Sequence, residues 1–294
     1  MYFLNNFKFI VALFMLCLLC SSQVQGQSND VEAGLANIGL GAVVGGLGAI
    51  INKKPEEKTG KVFLKGLYQG AFGGYLVFES KRLIGKFAET ENYAFVWPSK
   101  LINSAGTSII ENAALNTNFW EVWHLNIGFN RLQFYTKDKF KVDYRIMPFS
   151  LGAAVYGFTQ GNLDFRTSLK TGNFVFINNR MTTNRDGFVI DGMTAANVIF
   201  YRIEETSMLS KNQIVAHEII HVYQYESLSG VNTFLDKPTK KFNSNYKWLN
   251  SYHKIFYTDF NFLLDGTLAV INPNFETNFL EREARYFVNN RVMD

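Results

Sequence analysis

The segment SKNQIVAHEIIHVYQ, residues 210–224, contains the pattern His-Glu-x-x-His and decides how the C-terminal part of the chain is expected to fold. Residues four apart lie one above the other on a helix face, so a helix here presents the imidazoles of His217 and His221 to a single ion. Glu218 follows the first histidine directly, and its carboxylate can reach a metal-bound water without binding the metal itself. The pattern therefore predicts a metal site with Glu218 as the general base.

The flanking residues support a helix over this segment. Ser210 and Gln213 form a predicted capping box at its start. The neighbours of the motif, such as Ile214, Val215 and Ile219, are uncharged, and no proline interrupts the segment. The motif is therefore expected in the middle of the helix.

A catalytic zinc ion usually takes three protein ligands and leaves one position for water, so a third ligand is required. No cysteine is expected in the mature chain, which leaves histidine and carboxylates. A third histidine ten residues after His217 would mark a metzincin, but Ser227 stands at that position and excludes the class. The open candidates are Glu226, Glu276, Glu281, Glu283 and His253.

Helix geometry separates some of these candidates. At about 100° per residue, Glu226 lies about 180° around the motif helix from His217, so it is a poor ligand if that helix continues. The segment NFLEREARYFV, residues 278–288, predicts a second helix with an apolar face. Glu281 lies about 70° from the centre of that face and Glu283 about 90° away on the other side, which favours Glu281 as the third ligand.

The two segments together resemble the gluzincin metallopeptidases, in which His-Glu-x-x-His is followed by a helix of the form Glu-x-x-Ala-Asp. They are most similar to the branch that contains the CAAX prenyl proteases and their periplasmic relatives. In that family the first Glu of the second helix is the third zinc ligand, which the resemblance carries over to Glu281, with Ala284 matching the alanine. Arg285 departs from the pattern, because the family usually places an acidic residue there. The resemblance covers only these two helices.

These observations predict an exported zinc-dependent hydrolase, a metallopeptidase that acts on a peptide or protein substrate. Zinc would polarise the scissile carbonyl and lower the pKa of its water, while Glu218 would take the proton and return it to the leaving amine. Tyr223 and His253 are the candidate transition-state stabilisers, and Tyr225 and Tyr252 are also chemically suitable. An edge strand beside the motif helix would let an extended peptide add main-chain hydrogen bonds. The oligomeric state is left open.

Residues 1–26 have the features of a secretory signal peptide. Lys8 is the only charged residue there, an apolar run follows it, and the segment ends in Val24-Gln25-Gly26. Both cysteines, Cys17 and Cys20, lie inside this segment, which excludes disulfides and cysteine chemistry from the mature chain. A cysteine-free exported protein is expected in the periplasm or cell envelope. The formal net charge is +4 without a dense basic stripe, so no nucleic-acid partner is expected.

Two glycine-spaced apolar runs follow the predicted signal. The first extends from Ile38 to Ile51 and the second from Val62 to Phe78. In the second run three glycines stand four residues apart: Gly66, Gly70 and Gly74. Small residues at that spacing let two helix backbones approach closely, so a helical pair is predicted. The pair is expected either to pack as a soluble hairpin or to contact a membrane.

The middle of the chain alternates between apolar and polar residues, as an antiparallel sheet does. Residues 123–130 and 140–146 alternate in this way, and the polar segment 136–139 joins them as a predicted hairpin. A further strand pair is predicted at 163–169 and 174–177, separated by Thr171-Gly172-Asn173. One face of this meander is expected to be buried and the other to face solvent.

The predicted fold is therefore α+β. It consists of a glycine-rich N-terminal helical pair at 27–117, an antiparallel β meander at 118–185 and a C-terminal helical zinc-site module at 186–294, although 118–294 could form one domain. Two other functions stay open. The chain could be a non-enzymatic envelope or membrane-associated protein with a structural or degenerate zinc site. It could also be a β-rich substrate-binding module with a degenerate peptidase helix, for which Arg285 is the hint.

Overall fold

The structure is a computed structural model that describes residues 29–178, 191–202, 209–235, 246–271 and 278–288. The predicted signal peptide, with both cysteines, lies outside the described residues. The described residues combine helices with two small sheets, which confirms the predicted α+β class with its N-terminal helical pair and β meander.

The N-terminal glycine-rich region forms a helical hairpin of α1 (Asp30–Ile51) and α2 (Thr59–Thr90), as predicted. Helix α1 begins where the Asn29 side chain accepts hydrogen bonds from two backbone amides of the first turn. The helices touch through backbone, because a Cβ added to Gly70 would clash with the carbonyl oxygen of Gly41. Glycine at these positions lets the two axes come closer than any side chain would permit.

Helix α3 (Val96–Ala114) follows a 3₁₀ turn (Tyr93–Phe95) and packs against the same hairpin. A Cβ added to Gly106 of α3 would clash with the carbonyl oxygen of Gly73 of α2, so this contact is also made by backbone. The three helices thus form a compact N-terminal layer.

The first sheet has three antiparallel strands in the order β1 (Val122–Ile127), β2 (Asn130–Tyr135) and β3 (Lys141–Ile146). The predicted single strand over 123–130 ends early, because Gly128 turns the chain with a φ of +55° and a second strand begins at Asn130. The predicted hairpin at 136–139 joins β2 to β3.

The buried face of this sheet is its polar face. His124, Asn126, Arg131 and Gln133 are buried, whereas the apolar residues between them are half-buried. The reason lies in α3, whose polar residues face the strands.

Polar contacts between α3 and the first sheet satisfy the buried side chains. Arg131 donates to the Glu111 carboxylate at 2.6 Å, and the His124 ring lies 3.0 Å from the Thr107 hydroxyl oxygen. Burial and the Arg131 charge lower the pKa of His124 to about 3, against the opposing charge of Glu111. His124 is therefore a neutral structural histidine.

The second sheet is mixed and has the order β4 (Asn162–Leu163), β5 (Phe174–Ile177), β7 (Val198–Tyr201) and β6 (Gly192–Ala195). β5 and β7 run parallel, and the other pairs are antiparallel. Helix α4 (Pro148–Gln160) precedes this sheet, and α5 (Phe165–Thr171) crosses from β4 to β5.

The predicted strand at 163–169 is therefore wrong beyond Leu163. Asp164 caps a helix there by accepting from the Thr167 amide, and Gly172 ends the helix in the left-handed conformation. These two caps favour a helix over the strand that the alternating apolar and polar residues predict.

The described chain from residue 209 onward is helical, as predicted, but the predicted helical module at 186–294 also supplies β6 and β7 of the second sheet. The helical part comprises α6 (Lys211–Ser227), a 3₁₀ segment (Ser229–Leu235), α7 (Lys247–Ile255), α8 (Asn261–Ile271) and α9 (Phe279–Val288). Its main core is shared with the N-terminal hairpin and the second sheet, and includes Ala33, Phe78, Phe87, Val175, Ile199, Val215, Ile219 and Phe287. The three predicted regions are thus joined by one hydrophobic core.

We predict that Gly70→Ala weakens the protein while Gly39→Ala does not. The methyl group at position 70 meets backbone that cannot move unless the helices separate, which costs about 1–3 kcal/mol. Gly39, in α1, has no atom within 4 Å of an added Cβ, so alanine there gains about 0.8–1 kcal/mol of helix propensity. Urea unfolding of both variants checks the opposite signs, and equal stability of Gly70→Ala and wild type would contradict the backbone contact.

Candidate metal centre

Helix α6 carries the motif in its middle, as the sequence predicts. The capping box is present: the Ser210 hydroxyl accepts from the Gln213 amide, and the Gln213 side chain accepts from the Ser210 amide. His217 and His221 lie one turn apart, with their Nε2 atoms 3.2 Å from each other. The Nε2 atoms of both imidazoles are therefore close enough to bind a single ion.

The predicted third ligand comes from α9. Glu281 places one carboxylate oxygen 3.3 Å from Nε2 of His217 and the other 3.4 Å from Nε2 of His221. The side chains of His217, His221 and Glu281 are 12%, 16% and 20% exposed, so the three donors face a partly open surface rather than a sealed core. Glu281, 64 positions after His217, thus lies at the predicted position.

The donor set fits zinc. A tetrahedral ion with ligands at about 2.0–2.1 Å sets those ligands about 3.3 Å apart. The two imidazole nitrogens are 3.2 Å apart, and each lies 3.3–3.4 Å from a different oxygen of Glu281, with one ligand atom from each residue within 4.8 Å of the others. Two imidazole nitrogens and one carboxylate oxygen are the ligand types of known hydrolytic zinc sites. Among the described residues no fourth His, Cys, Asp or Glu joins the group.

The electrostatics of the site favour a cation. Burial opposes charge on His221, but the hydrogen bond and charge of Glu281 outweigh it and raise the pKa of His221 to about 9. Burial also opposes charge on Glu281, yet hydrogen bonds from His217 and His221 lower the pKa of Glu281 well below its usual range. The carboxylate thus stays charged, and a divalent cation can replace the proton on the imidazole.

Glu218 lies next to the triad, beneath strand β6. The Thr194 hydroxyl donates to its Oε2 at 2.8 Å, and Gly192 lies against its other oxygen, where a Cβ would clash. Burial raises the pKa of Glu218, although the neighbouring histidines partly offset this effect. A carboxyl whose proton affinity is raised is suited to accept a proton from water.

The other carboxylates proposed as third ligands lie elsewhere or outside the described residues. Glu226 accepts hydrogen bonds from Asn103 and Asn126 in the buried polar layer, in agreement with its predicted orientation. Glu283 forms a buried ion pair with Lys81 at 2.7 Å. Glu276 lies outside the described residues.

The aromatic candidates for transition-state stabilisation are not brought into the triad. Tyr223 is fully buried in the core, with its hydroxyl 3.1 Å from the Ser99 hydroxyl of α3. Tyr225 donates to Asp259 at 2.7 Å. The rings of Tyr252 and His253 contact each other on α7, outside the metal-binding group. These positions lend no support to a catalytic role for the four residues.

Sequence reasoning missed three residues around the site. Gln224 accepts from Nδ1 of His221 at 2.8 Å, while Thr194 and Gly192 contact Glu218. A glycine within a strand often marks a close approach by another group, so Gly192 carried a usable signal. Gln224 and Thr194 carried none, because their roles depend on contacts between distant elements.

The strand beside the motif helix is β6 of the second sheet, not a strand of the predicted meander. It pairs with β7 on one side, and no other described strand pairs with its second side. Because β6 also supplies Thr194 and Gly192, the outer edge of the described sheet lies close to the candidate base.

No family model, curated protein or solved structure matches this chain. The resemblance of α6 and α9 to gluzincins therefore stays a prediction, and the function is argued from the geometry of the site.

We predict that zinc stabilises the folded protein through this triad. At a zinc concentration 100 times Kd, the free energy of unfolding should rise by about 2.7 kcal/mol, and a chelator should reverse the gain. His217→Ala should abolish the gain, whereas His253→Gln should retain it. Thermal unfolding with and without zinc measures both variants, and an undiminished shift in His217→Ala would place the ion elsewhere.

Proposed function

We propose that this protein is an exported zinc-dependent hydrolase, a metallopeptidase acting on a peptide or protein. The observation that carries the proposal is the convergence of His217, His221 and Glu281, which bring one ligand atom each to within 4.8 Å of the others on a partly open surface. Structural zinc sites are closed by four protein ligands, whereas catalytic sites keep a position for water. The three-donor group matches the second kind of site.

In this mechanism His217, His221 and Glu281 would hold the ion. When bound, zinc supplies polarisation of the scissile carbonyl and a lower pKa for the attacking water. Glu218 takes the proton of that water and delivers it to the leaving amine. The Thr194 hydroxyl donates to Oε2 of Glu218, and Gly192 of the same strand lies against Oε1, so β6 fixes the orientation of this carboxylate.

A peptide is the substrate class that the surroundings favour. An extended peptide can add as a strand to an open sheet edge, and the described edge nearest the site is β6. Main-chain hydrogen bonds to β6 would hold the peptide independently of its side chains. The strand carries Thr194 over Glu218, so a peptide on this edge would pass close to the base.

The test compares metal content with peptide cleavage in purified variants. Glu218→Gln should keep stoichiometric zinc and lose at least about 100-fold in the rate of cleavage, because the general base is gone. Glu281→Ala should lower both zinc content and cleavage, since one of three ligands is missing. Metal analysis and a fluorogenic peptide library supply the two readouts.

Glu226→Gln is the matched control, because Glu226 lies on the same helix but contacts the buried polar layer. It should keep zinc, and its folded fraction should keep cleavage. Wild-type protein without stoichiometric zinc after reconstitution would refute the proposal, and so would a Glu218→Gln variant as active as wild type.

A specific observation favours membrane contact, either by the enzyme or by a non-enzymatic envelope protein with a structural zinc site. Helix α1 is long and apolar enough to cross a bilayer, with a mean hydropathy of 1.8 in its most apolar window, although 44% of that window is buried. The hairpin exposes several large apolar side chains: Val31, Leu35, Leu64, Tyr68, Phe72 and Tyr75. Exposed lysines 54, 58 and 61 stand near its turn, where they suit anionic lipid headgroups.

We predict that the double variant Leu35→Glu/Phe72→Glu loses binding to vesicles of phosphatidylethanolamine and phosphatidylglycerol. The two carboxylates oppose burial of the apolar hairpin surface in the lipid interface. Phe140→Glu is the control, because Phe140 is 73% exposed and lies outside the helical hairpin, directly before β3. Co-sedimentation measures binding, and equal loss in the control would show that the hairpin surface is not the contact.

A further inference from the structure

A buried polar cluster connects the N-terminal hairpin to the second ligand helix. Lys81 of α2 donates to Oε2 of Glu283 at 2.7 Å and to the Asn37 side-chain oxygen at 2.9 Å. Asn37 of α1 donates to Oε1 of Glu283 at 2.6 Å. Both carboxylate oxygens of Glu283 are therefore held by the hairpin. Glu283 lies two residues after Glu281 on α9.

The cluster continues to the motif helix through Gln224. Its amide nitrogen donates to Oε2 of Glu283 at 2.8 Å and to the Leu280 carbonyl oxygen at 2.9 Å. Both N–H groups of the Gln224 amide are thus engaged. Its oxygen therefore faces Nδ1 of His221, 2.8 Å away. An oxygen acceptor there requires a proton on Nδ1, so when a metal replaces the second ring proton it is Nε2 that offers its lone pair.

We infer that Asn37, Lys81, Glu283 and Gln224 are positioning residues of the metal centre, by which the N-terminal hairpin sets the geometry of the ligands. The inference rests on the proposed zinc site. Glu283 fixes the placement of α9 and hence of Glu281, and it fixes the amide of Gln224 and hence the tautomer of His221. The ion pair between Lys81 and Glu283 thus influences the position of Glu281 on α9 and the tautomer of His221 on α6.

Other contacts of α9 run to the same hairpin. The Phe287 ring lies 6.1 Å from the Phe78 ring of α2, and the Tyr286 hydroxyl donates to Asp30 of α1 at 2.5 Å. A helix of ten residues is thereby held along its length by α1 and α2. A merely stabilising role would not require the ion pair, because apolar residues of similar volume often serve a core equally well.

The test measures metal binding of Lys81→Met, with Lys100→Met as the matched control. Lys100 is also fully buried, on α3, but it donates to Asn173 and has no contact with the cluster. Lys81→Met should weaken zinc binding about 10- to 100-fold in chelator competition, as is typical when a residue that orients a ligand is lost. The visible spectrum of cobalt-substituted protein, which reports ligand geometry, should change in Lys81→Met and stay the same in Lys100→Met.

Two further variants separate positioning from general stability. The double variant Lys81→Met/Glu283→Gln removes the unpaired charge while keeping an acceptor for Gln224, so it should recover most of the zinc affinity. Gln224→Met leaves the ion pair intact and cuts its link to His221, so it should weaken zinc binding and change the cobalt spectrum. This variant decides the outcome if Lys81→Met does not fold.

The outcomes distinguish the two proposals. Wild-type protein that binds neither zinc nor cobalt would refute the metal centre itself. Wild-type binding with unchanged affinity and spectrum in Lys81→Met and Gln224→Met would overturn only the positioning role. An equal loss in Lys100→Met would overturn it as well, because any buried lysine would then serve.

Discussion

Helix α6 is buried on most of its surface, and its buried polar side chains need hydrogen-bond partners from the surrounding elements. Glu218, Gln224 and Glu226 are each less than 5% exposed. A buried polar group without a partner costs about 1–3 kcal/mol, so each must be met by another element. Strand β6 supplies a hydrogen-bond donor to Glu218, and helix α9 supplies an acceptor to Gln224. Helix α3 and strand β1 supply the donors to Glu226. These contacts set the rotation of α6 and leave His217 and His221 facing the partly open side.

Two carboxylates that look alike in the sequence differ in the side chains that pair with them. Glu281 and Glu283 lie on the same short helix, yet Glu283 is neutralised by Lys81. In the described structure the ion-pair partners of Glu281 are imidazoles. Its negative charge is available to a metal ion, since a neutral imidazole can bind the same ion beside the carboxylate, whereas the lysine ammonium offers only donors and no lone pair. A metal ligand is thus distinguished from a structural carboxylate by the cation that faces it.

Local signals predicted the features that depend on neighbouring residues. The motif spacing, the Ser210 cap and the glycine-spaced hairpin are of this kind, and the structure confirms the cap and the hairpin. The first sheet shows where local sequence signals fail to predict the structure. Its polar face is buried because polar side chains of α3, which are distant in the sequence, bind it. Likewise, helical rotation alone favoured Glu281 over Glu283 only slightly, and it did not identify Lys81 as the partner that separates them.

The hydrogen bond between Asn37 and Glu283 joins residues 246 positions apart. Contacts of such long range form late, because most of the chain must be ordered before they are gained. A nascent chain would carry His217 and His221 well before α9 exists to complete the ligand set. The proposed ligand set would therefore stay incomplete until α9 has been made, and a product that lacks α9 would lack its carboxylate ligand.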